Sequence, residues 1–293
     1  MTAVDDSTGP DGEFRVAVAD GVCRFWRPHR PTRFLSTGFD GGERVASAAY
    51  NLTVPAGWGD DGRRDLRAYV SKRVTTAGFD DDDDVARTDE SAQTNEPPAL
   101  LTGVDQRHAR VARLDGATVL ATAGVSNPAA LPVPPVSVDD PSTTDDRDDR
   151  GRRSGGRAGR DRSTARRADG TVNLLVGVDR PLEPGALANL VSVVAEAKAA
   201  TLLATVDAPG TTSDAIVVGC SPTDTPESRP AARFSGSATP IGAAVRACVR
   251  DALRVSLRSR YGPDLDGAPP SVAAAEYGVS TSRTATVSVP TER

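Results

Sequence analysis

The chain runs to 293 residues and carries 35 Lys plus Arg against 40 Asp plus Glu, a formal net charge of −5 at pH 7; that length suits one domain with insertions, or two small ones, around a real core. Its two histidines, His29 and His108, exclude HExxH zinc chemistry and weaken a Ser-His-Asp triad, while Cys23, Cys220 and Cys248, with no CxxC pair, fit a reducing compartment and no disulfide framework. No apolar run approaches the roughly 18 residues of a bilayer span, and the acidic, polar stretch at residues 1–12 lacks the parts of a signal peptide, so a cytoplasmic protein with a flexible N-terminus is expected.

Phe14 to Trp26 predicts a hairpin turning near Asp20-Gly21. Branched residues mark strands at Phe34 to Ser36 and Ser47 to Val54, and a helix is expected from Arg64 to Thr76. Phe79 to Pro98, with its acidic run Asp80 to Asp84, reads as a disordered insertion. His108 follows in an Arg-rich, helix-like stretch, and Thr118 to Ala123 is the next strand. Pro132 to Asp169 is a second disordered insertion, Pro-rich, then acidic, then Arg/Gly-rich. Asp residues interleave with those arginines and no aromatics accompany them, so a solvated loop is favoured over a nucleic-acid patch.

Val172 to Val178 is a strand, followed by a helix from Pro184 to Thr205 with an apolar stripe of Leu187, Leu190, Val191, Val194, Thr201 and Leu202. Ala215 to Cys220 is a strand. Thr239 as N-cap and Pro240 open a second strong helix reaching Arg258. Ile241, Val245, Cys248, Ala252 and Val255 are expected inward on it, with Arg246, Arg250 and Arg254 outward. Thr284 to Val289 is a candidate final strand in a tail over residues 263–293. The sum is α+β: a mixed β-sheet core flanked by helices, in a single domain at residues 13–262 with insertions at about 79–98 and 132–169.

Asp greatly outnumbers Glu, and Lys72 and Lys198 are the only lysines beside many arginines. Such a surface suits a salt-loving archaeon, whose saline cytoplasm shortens the Debye length to ~3 Å. GC-rich coding explains Arg over Lys equally well.

Chemistry concentrates in five segments: Ser36-Thr37-Gly38 with Gly41-Gly42; Asn51 to Val54; Thr122 to Asn127; Gly170-Thr171-Val172-Asn173; and Gly210 to Asp214. Each sets hydroxyl, amide or glycine residues at a predicted strand end, where loops present groups to a ligand. One such segment is ordinary turn chemistry. Five describe a pocket that recognises by neutral hydrogen bonds. Lys198 lies mid-stripe on its helix while Glu196 points the opposite way. A desolvated Lys can change protonation state and Arg cannot, so Lys198 either serves catalysis or forms a buried pair, with Asp214 as partner.

Taken in order from Arg33 to Arg258, these segments, together with Leu101-Thr102, Glu196-Ala197-Lys198 and Gly236 before Ile241-Gly242, resemble the adenosylcobinamide amidohydrolase family of archaeal corrinoid salvage. Thr211-Thr212-Ser213 departs from the glycine-threonine pair expected there. The resemblance implies hydrolysis of the amide joining the corrin propionyl side chain to aminopropanol. It implies a corrinoid substrate as partner; from the residues themselves no cofactor, protein-bound metal, nucleic acid or membrane is expected. A corrin fringed with carboxamides calls for apolar walls and neutral donors and acceptors. Substrate binding is assigned to Ser36, Thr37, Gly38, Gly41, Gly42, Asn51, Thr122, Gly124, Ser126, Asn173, Gly210, Thr211 and Thr212, and catalysis to Lys198, Asp214, Glu196, Thr171 and Asn127. The nucleophile stays open between a hydroxyl (Ser36, Thr37, Thr122, Ser126 or Thr171) and a water activated by Asp214 or Glu196. A self-cleavage at Gly170-Thr171 would free Thr171 as an N-terminal nucleophile. A corrinoid carrier or sensor without turnover is the alternative function.

Overall fold

The computed structural model describes residues 13–28, 30–55, 58, 65–79, 96–133, 170–222 and 230–290. His29, the run Asp80 to Asp84 and the Arg-rich part of the second insertion lie outside the described residues.

β1 (Arg15–Ala19) and β2 (Val22–Trp26) form the expected hairpin. Its corner has Asp20 at φ 45° and Gly21 at φ 73°, the left-handed pair that a tight two-residue hairpin turn demands. β3 (Thr32–Ser36), β4 (Gly42–Ala46) and β5 (Ala48–Thr53) follow. α1 (Leu66–Thr76) is capped by Asp65, whose carboxylate accepts from Ala68 N at 3.0 Å. After β6 (Ala99–Thr102), the helix-like stretch around His108 is a single 3-10 turn, Gln106–His108, and the arginines beyond it belong to strand β7 (Arg110–Leu114). β8 (Ala117–Ala123), β9 (Pro128–Ala130), β10 (Val172–Val178), α2 (Pro184–Val206), β11 (Gly210–Thr211), β12 (Ala215–Cys220), α3 (Pro240–Tyr261) and β13 (Val279–Ser280) complete the order.

The strands make a four-stranded sheet, β1-β2-β5-β6, a six-stranded sheet, β4-β3-β12-β10-β8-β7, and a small sheet, β11-β9-β13. β5–β6 and β10–β12 pair in parallel within otherwise antiparallel large sheets. Side-chain alternation sorts the layers. Val172, Leu174 and Val176 of β10 face α2 and α3, meeting Leu187, Leu190, Val194, Val245, Val249 and Leu253. Leu175 points the other way. With Leu120, Val217 and Phe34 it packs on Phe14, Phe25, Ala49 and Leu100 of the four-stranded sheet. That sheet's far face sets Val22, Ala48, Tyr50 and Leu52 against Val70 and Val74 of α1. The α+β reading holds, and the single helix-covered sheet becomes two stacked sheets between helical layers.

Three expectations change. Val255 is 48% exposed, because the buried stripe of α3 runs through Ala252, Leu253 and Ser256, and Val255 is turned about 100° from Ser256. Thr284 to Val289 forms no strand and is exposed; the pairing in the tail is made earlier, by β13 running parallel to β9. α2, at 23 residues, is long and apolar enough by length and composition to cross a bilayer, contrary to the reading that no run approaches that. Here its Leu187, Leu190, Val194 and Leu202 are buried in the core beside the six-stranded sheet.

Candidate active site

Four neighbouring strands of the six-stranded sheet present one common edge. The register pairs Ser36 with Val217, Asn173 with Ala215 and Val172 with Ala123. The end of β3, the start of β12, the start of β10 and the end of β8 therefore lie side by side. That edge gathers Thr37-Gly38, the turn 210–214, Gly170-Thr171 and Gly124 to Asn127, segments far apart in the chain.

Asp214 ties the edge together. Its Oδ1 accepts from Val172 N at 3.0 Å and from the Thr211 hydroxyl; its Oδ2 accepts from Thr211 N at 3.0 Å and from Lys198 Nζ. Lys198 reaches in from α2, and the side chains of the pair are only 13% and 9% exposed. Lys198 thus forms the buried pair with Asp214 that its place on the apolar stripe suggested. Gly210 makes room: a Cβ there would lie 2.6 Å from Asp214 Oδ2 and 2.9 Å from Lys198 Nζ. Four hydrogen bonds occupy a carboxylate's acceptor sites, so Asp214 holds the turn to β10 and has no lone pair to spare for activating a water.

Thr171 is buried at the head of β10. Its hydroxyl donates to Gly170 O at 2.8 Å and shares a hydrogen bond with Ser213 Oγ at 2.9 Å. Its carbonyl accepts from Gly124 N at 3.1 Å. Asn127 Nδ2 donates to Thr212 Oγ1 at 2.6 Å, and Thr212 N donates to Asn127 O at 3.2 Å. Asn127 Oδ1 is buried and finds no partner among the described residues.

Thr171 and Asn173 share the β10 face that looks toward the four-stranded sheet, and there a second polar group fills the gap between sheets. Asn173 Nδ2 donates to Asn51 Oδ1 at 2.9 Å and to Leu101 O at 3.1 Å. Asn51 Nδ2 donates to Thr122 Oγ1 at 3.0 Å and lies 3.4 Å from Gln106 Oε1. Gln106 Nε2 reaches Thr53 Oγ1 at 3.3 Å. Asn173 Oδ1, like Asn127 Oδ1, is buried without a partner among the described residues. An unmet buried acceptor costs about 1–3 kcal/mol; Asn127 Oδ1 lies in the edge turn beside the exposed Thr212, whereas Asn173 is wholly buried between the sheets.

The remaining expected residues divide. Ser36 and Thr37 spend their hydroxyls locally: Ser36 Oγ accepts from Gly38 N at 3.1 Å, and Thr37 Oγ1 accepts from Ile216 N at 2.9 Å, sewing β3 to β12. Gly41 and Gly42 shape the β3–β4 turn. Asp40 in that turn borders a cleft of about 190 Å³, lined also by Phe39, Arg44, Tyr50 and Arg67, on the α1 face of the sheet and so opposite Asn51. The hydrogen bond from Arg67, with Arg44 beside it, holds the Asp40 carboxyl below its ordinary range. Ser126 stays in the edge turn. Glu196 does not join: it is exposed on the other side of α2, 3.4 Å from Arg246. His108 also stands apart, its Nδ1 3.0 Å from Ser259 Oγ of α3.

Sequence reasoning missed Ser213 and Gln106. Ser213 was the readable one, since it sits between two residues already singled out. Gln106 carries no local signal, because its partners Asn51 and Thr53 are more than fifty residues away. The edge is open, with Thr37, Thr212 and Ser213 exposed, so the described residues offer a polar rim in place of the closed apolar pocket expected for a corrin.

A family model described as adenosylcobinamide amidohydrolase matches residues 13–264. The adenosylcobinamide amidohydrolase of Halobacterium salinarum is 45% identical over 269 residues, covering 92% of this chain and 96% of its own. Two solved structures are coarsely similar. One is the L-aminopeptidase D-Ala-esterase/amidase of Ochrobactrum anthropi, at 13% identity and a TM-score of 0.30, covering 86% of this chain and 88% of that one. The other is the PH0078 protein of Pyrococcus horikoshii, at 10% identity and a TM-score of 0.36, covering 88% and 83%.

Proposed function

Because the chain belongs to the adenosylcobinamide amidohydrolase family, we propose that it hydrolyses the amide between the corrin propionyl side chain and aminopropanol, releasing adenosylcobyric acid. The observation that carries this reading is 45% identity across nearly the whole of both chains; the strand edge supplies chemistry in keeping with it. Amide hydrolysis needs a nucleophile, a proton route to the leaving amine and donors for the tetrahedral oxyanion. The Thr171–Ser213 hydroxyl pair is the best-placed nucleophile at the edge. Backbone N–H groups of the turn at Ser126 and Asn127, which press on Gly170, are the candidate oxyanion donors. Lys198 and Asp214 act by position, pinning the turn 210–214 beside Thr171. Asn127, in the edge turn, offers a neutral hydrogen bond of the kind that a carboxamide-fringed corrin presents in return, while Asn51 and Asn173 are buried between the sheets and brace the edge from behind.

The reaction belongs in the cytoplasm of a salt-loving archaeon: Cys23, Cys220 and Cys248 are unpaired and buried, which suits a reducing compartment. The test is incubation with adenosylcobinamide. One aminopropanol is expected per adenosylcobyric acid formed. Tight corrinoid binding with no aminopropanol released would sink the enzyme reading in favour of a carrier.

A further inference from the structure

We propose that the chain cuts its own backbone between Gly170 and Thr171, and that the freed Thr171 is the nucleophile of the amide hydrolysis proposed above, with its new α-amine as the base.

Among the described residues, the edge gives a hydroxyl nucleophile no free base. A hydroxyl nucleophile needs a base to take its proton. Among the described residues of the edge, Asp214 has all four acceptor sites taken and Lys198 is its buried partner. Glu196 is 3.4 Å from Arg246 and His108 Nδ1 is 3.0 Å from Ser259 Oγ, so neither side chain is hydrogen-bonded to an edge hydroxyl. A free α-amine on Thr171 fills that role from within the same residue, since its ordinary pKa of about 7.7–8.0 leaves a useful neutral fraction near pH 7.

The geometry at the bond supports the cut. Thr171 Oγ1 lies 2.8 Å from the carbonyl oxygen of the peptide that would break, and 2.9 Å from Ser213 Oγ, placed to relay a proton. That peptide is pressed into a polar niche. A Cβ on Gly170 would meet Asn127 Oδ1 at 2.4 Å, Ser126 N at 2.6 Å and Asn127 N at 3.0 Å. Only glycine fits there, and two backbone nitrogens and one amide oxygen pack against the Cα of the residue whose carbonyl would react. Asn127 Oδ1 is the buried acceptor with no partner among the described residues; an ammonium born at Thr171 would give it one. The cut would also leave Thr171 in place. On its C-terminal side the strand is held by Val172 N to Asp214 Oδ1, by Gly124 N to Thr171 O and by the ladders to β8 and β12.

The chemistry balances with water as the only co-reactant. Thr171 Oγ1 bonds to the Gly170 carbonyl carbon and the C–N bond breaks. The hydroxyl proton ends on the departing nitrogen, leaving an ester and an amine. Water then adds to the ester carbon, the C–Oγ1 bond breaks, and a Gly170 carboxylate and the Thr171 hydroxyl result. In turnover the same hydroxyl attacks the substrate amide, aminopropanol leaves with the proton that the α-amine collected, and water frees the corrin acid.

Intact mass under denaturing conditions tests this on the purified full-length protein. The expected result is two pieces, residues 1–170 and 171–293, with N-terminal sequencing of the second starting at Thr171. Thr171→Ala is expected to stay uncut and to lose at least 1,000-fold in aminopropanol release; Thr171→Ser, which keeps a hydroxyl, is expected to be cut. Wild-type protein that is entirely full-length yet releases aminopropanol overturns the proposal and leaves the family reading standing. A cut chain that leaves adenosylcobinamide intact keeps the self-cleavage and defeats the nucleophile's assignment to that substrate.

Discussion

Removing Asp214 is the sharpest test of how the edge is held. Asp214→Ala takes away the acceptor for Val172 N, Thr211 N and the Thr211 hydroxyl, and strands the Lys198 ammonium. The side chains are 13% and 9% exposed, so the pair is screened little by water or salt. Breaking such a pair from one side costs about 3–5 kcal/mol. The orphaned N–H groups would add about 1 kcal/mol or more each in a closed core, but Thr212 and Ser213 are exposed and water can reach the turn. A loss of about 4 kcal/mol is therefore expected, or about 10–15 °C in melting temperature for a domain of this size. Multimolar salt should leave that loss largely intact, whereas an exposed pair such as Glu196–Arg246 would be screened away. Adding Lys198→Met to Asp214→Ala should recover part of the stability, because the second change removes the buried unpaired charge. The assay is equilibrium urea unfolding at low and high salt. If Asp214→Ala falls within about 1 kcal/mol of wild type, or if Lys198→Met adds a full further penalty, the pair does not hold the edge.

Asn51→Ala should destabilise by about 1–3 kcal/mol, because it leaves Asn173 Nδ2 and Thr122 Oγ1 short of a partner between the sheets; urea unfolding measures it, and a neutral effect would mean that water replaces the amide. His108 gives stability a pH dependence of known sign. Burial first, then Arg107 and Arg260, hold its pKa below the ordinary 6.5. Below 6.5 the unfolded chain thus binds more protons, and His108's contribution, complete above 6.5, is lost as pH falls through the lowered folded value. His108→Gln should flatten the stability profile in that window, and an unchanged slope would count against the assignment. Burial, with Asp251 and Asp115, pushes the Cys248 thiol up to about 11, and burial raises Cys23 and Cys220 as well. Thiol reagents at pH 8 should label the native protein only at its unfolding rate; fast labelling of any of the three would contradict the packing.

What could be read from the residues was whatever the chain encodes locally. Asp20-Gly21 demands a tight turn, Thr239-Pro240 announces α3, and the Cys248 stripe gives its inner face. β8 and β10 were also legible as strands, but all seven residues of each are buried. A strand buried on both faces shows no alternation, so nothing in it says whether a helix or another sheet lies on either side. The second sheet was hidden for that reason. β4, β6, β7, β9 and β11 are short and borrow their stability from neighbours, so propensity alone does not find them. Val255 illustrates a finer limit: a stripe written with five positions was right in period and wrong in its edge. The inter-sheet group follows the same rule. Asn51 and Asn173 were assigned separately to substrate binding, yet their bond spans 122 positions of sequence, and only the stacking of the sheets brings them together.

That stacking also explains why the edge works with so few charges. The buried ion pair that the described residues place in it, Lys198–Asp214, is internally neutral and fully hydrogen-bonded, so it contributes geometry without leaving an unpaired charge in the rim. The groups left over are hydroxyls, amides and backbone N–H, whose strength barely depends on salt, unlike that of exposed ions. If the edge is the site of the proposed reaction, a neutral, carboxamide-fringed plate gains nothing there from exposed charges, which counterions would blunt at high salt. It gains from an acceptor such as Asn127 Oδ1, buried and without a partner among the described residues. A buried acceptor that a correct donor satisfies and a wrong one leaves unpaired is what separates the two in binding.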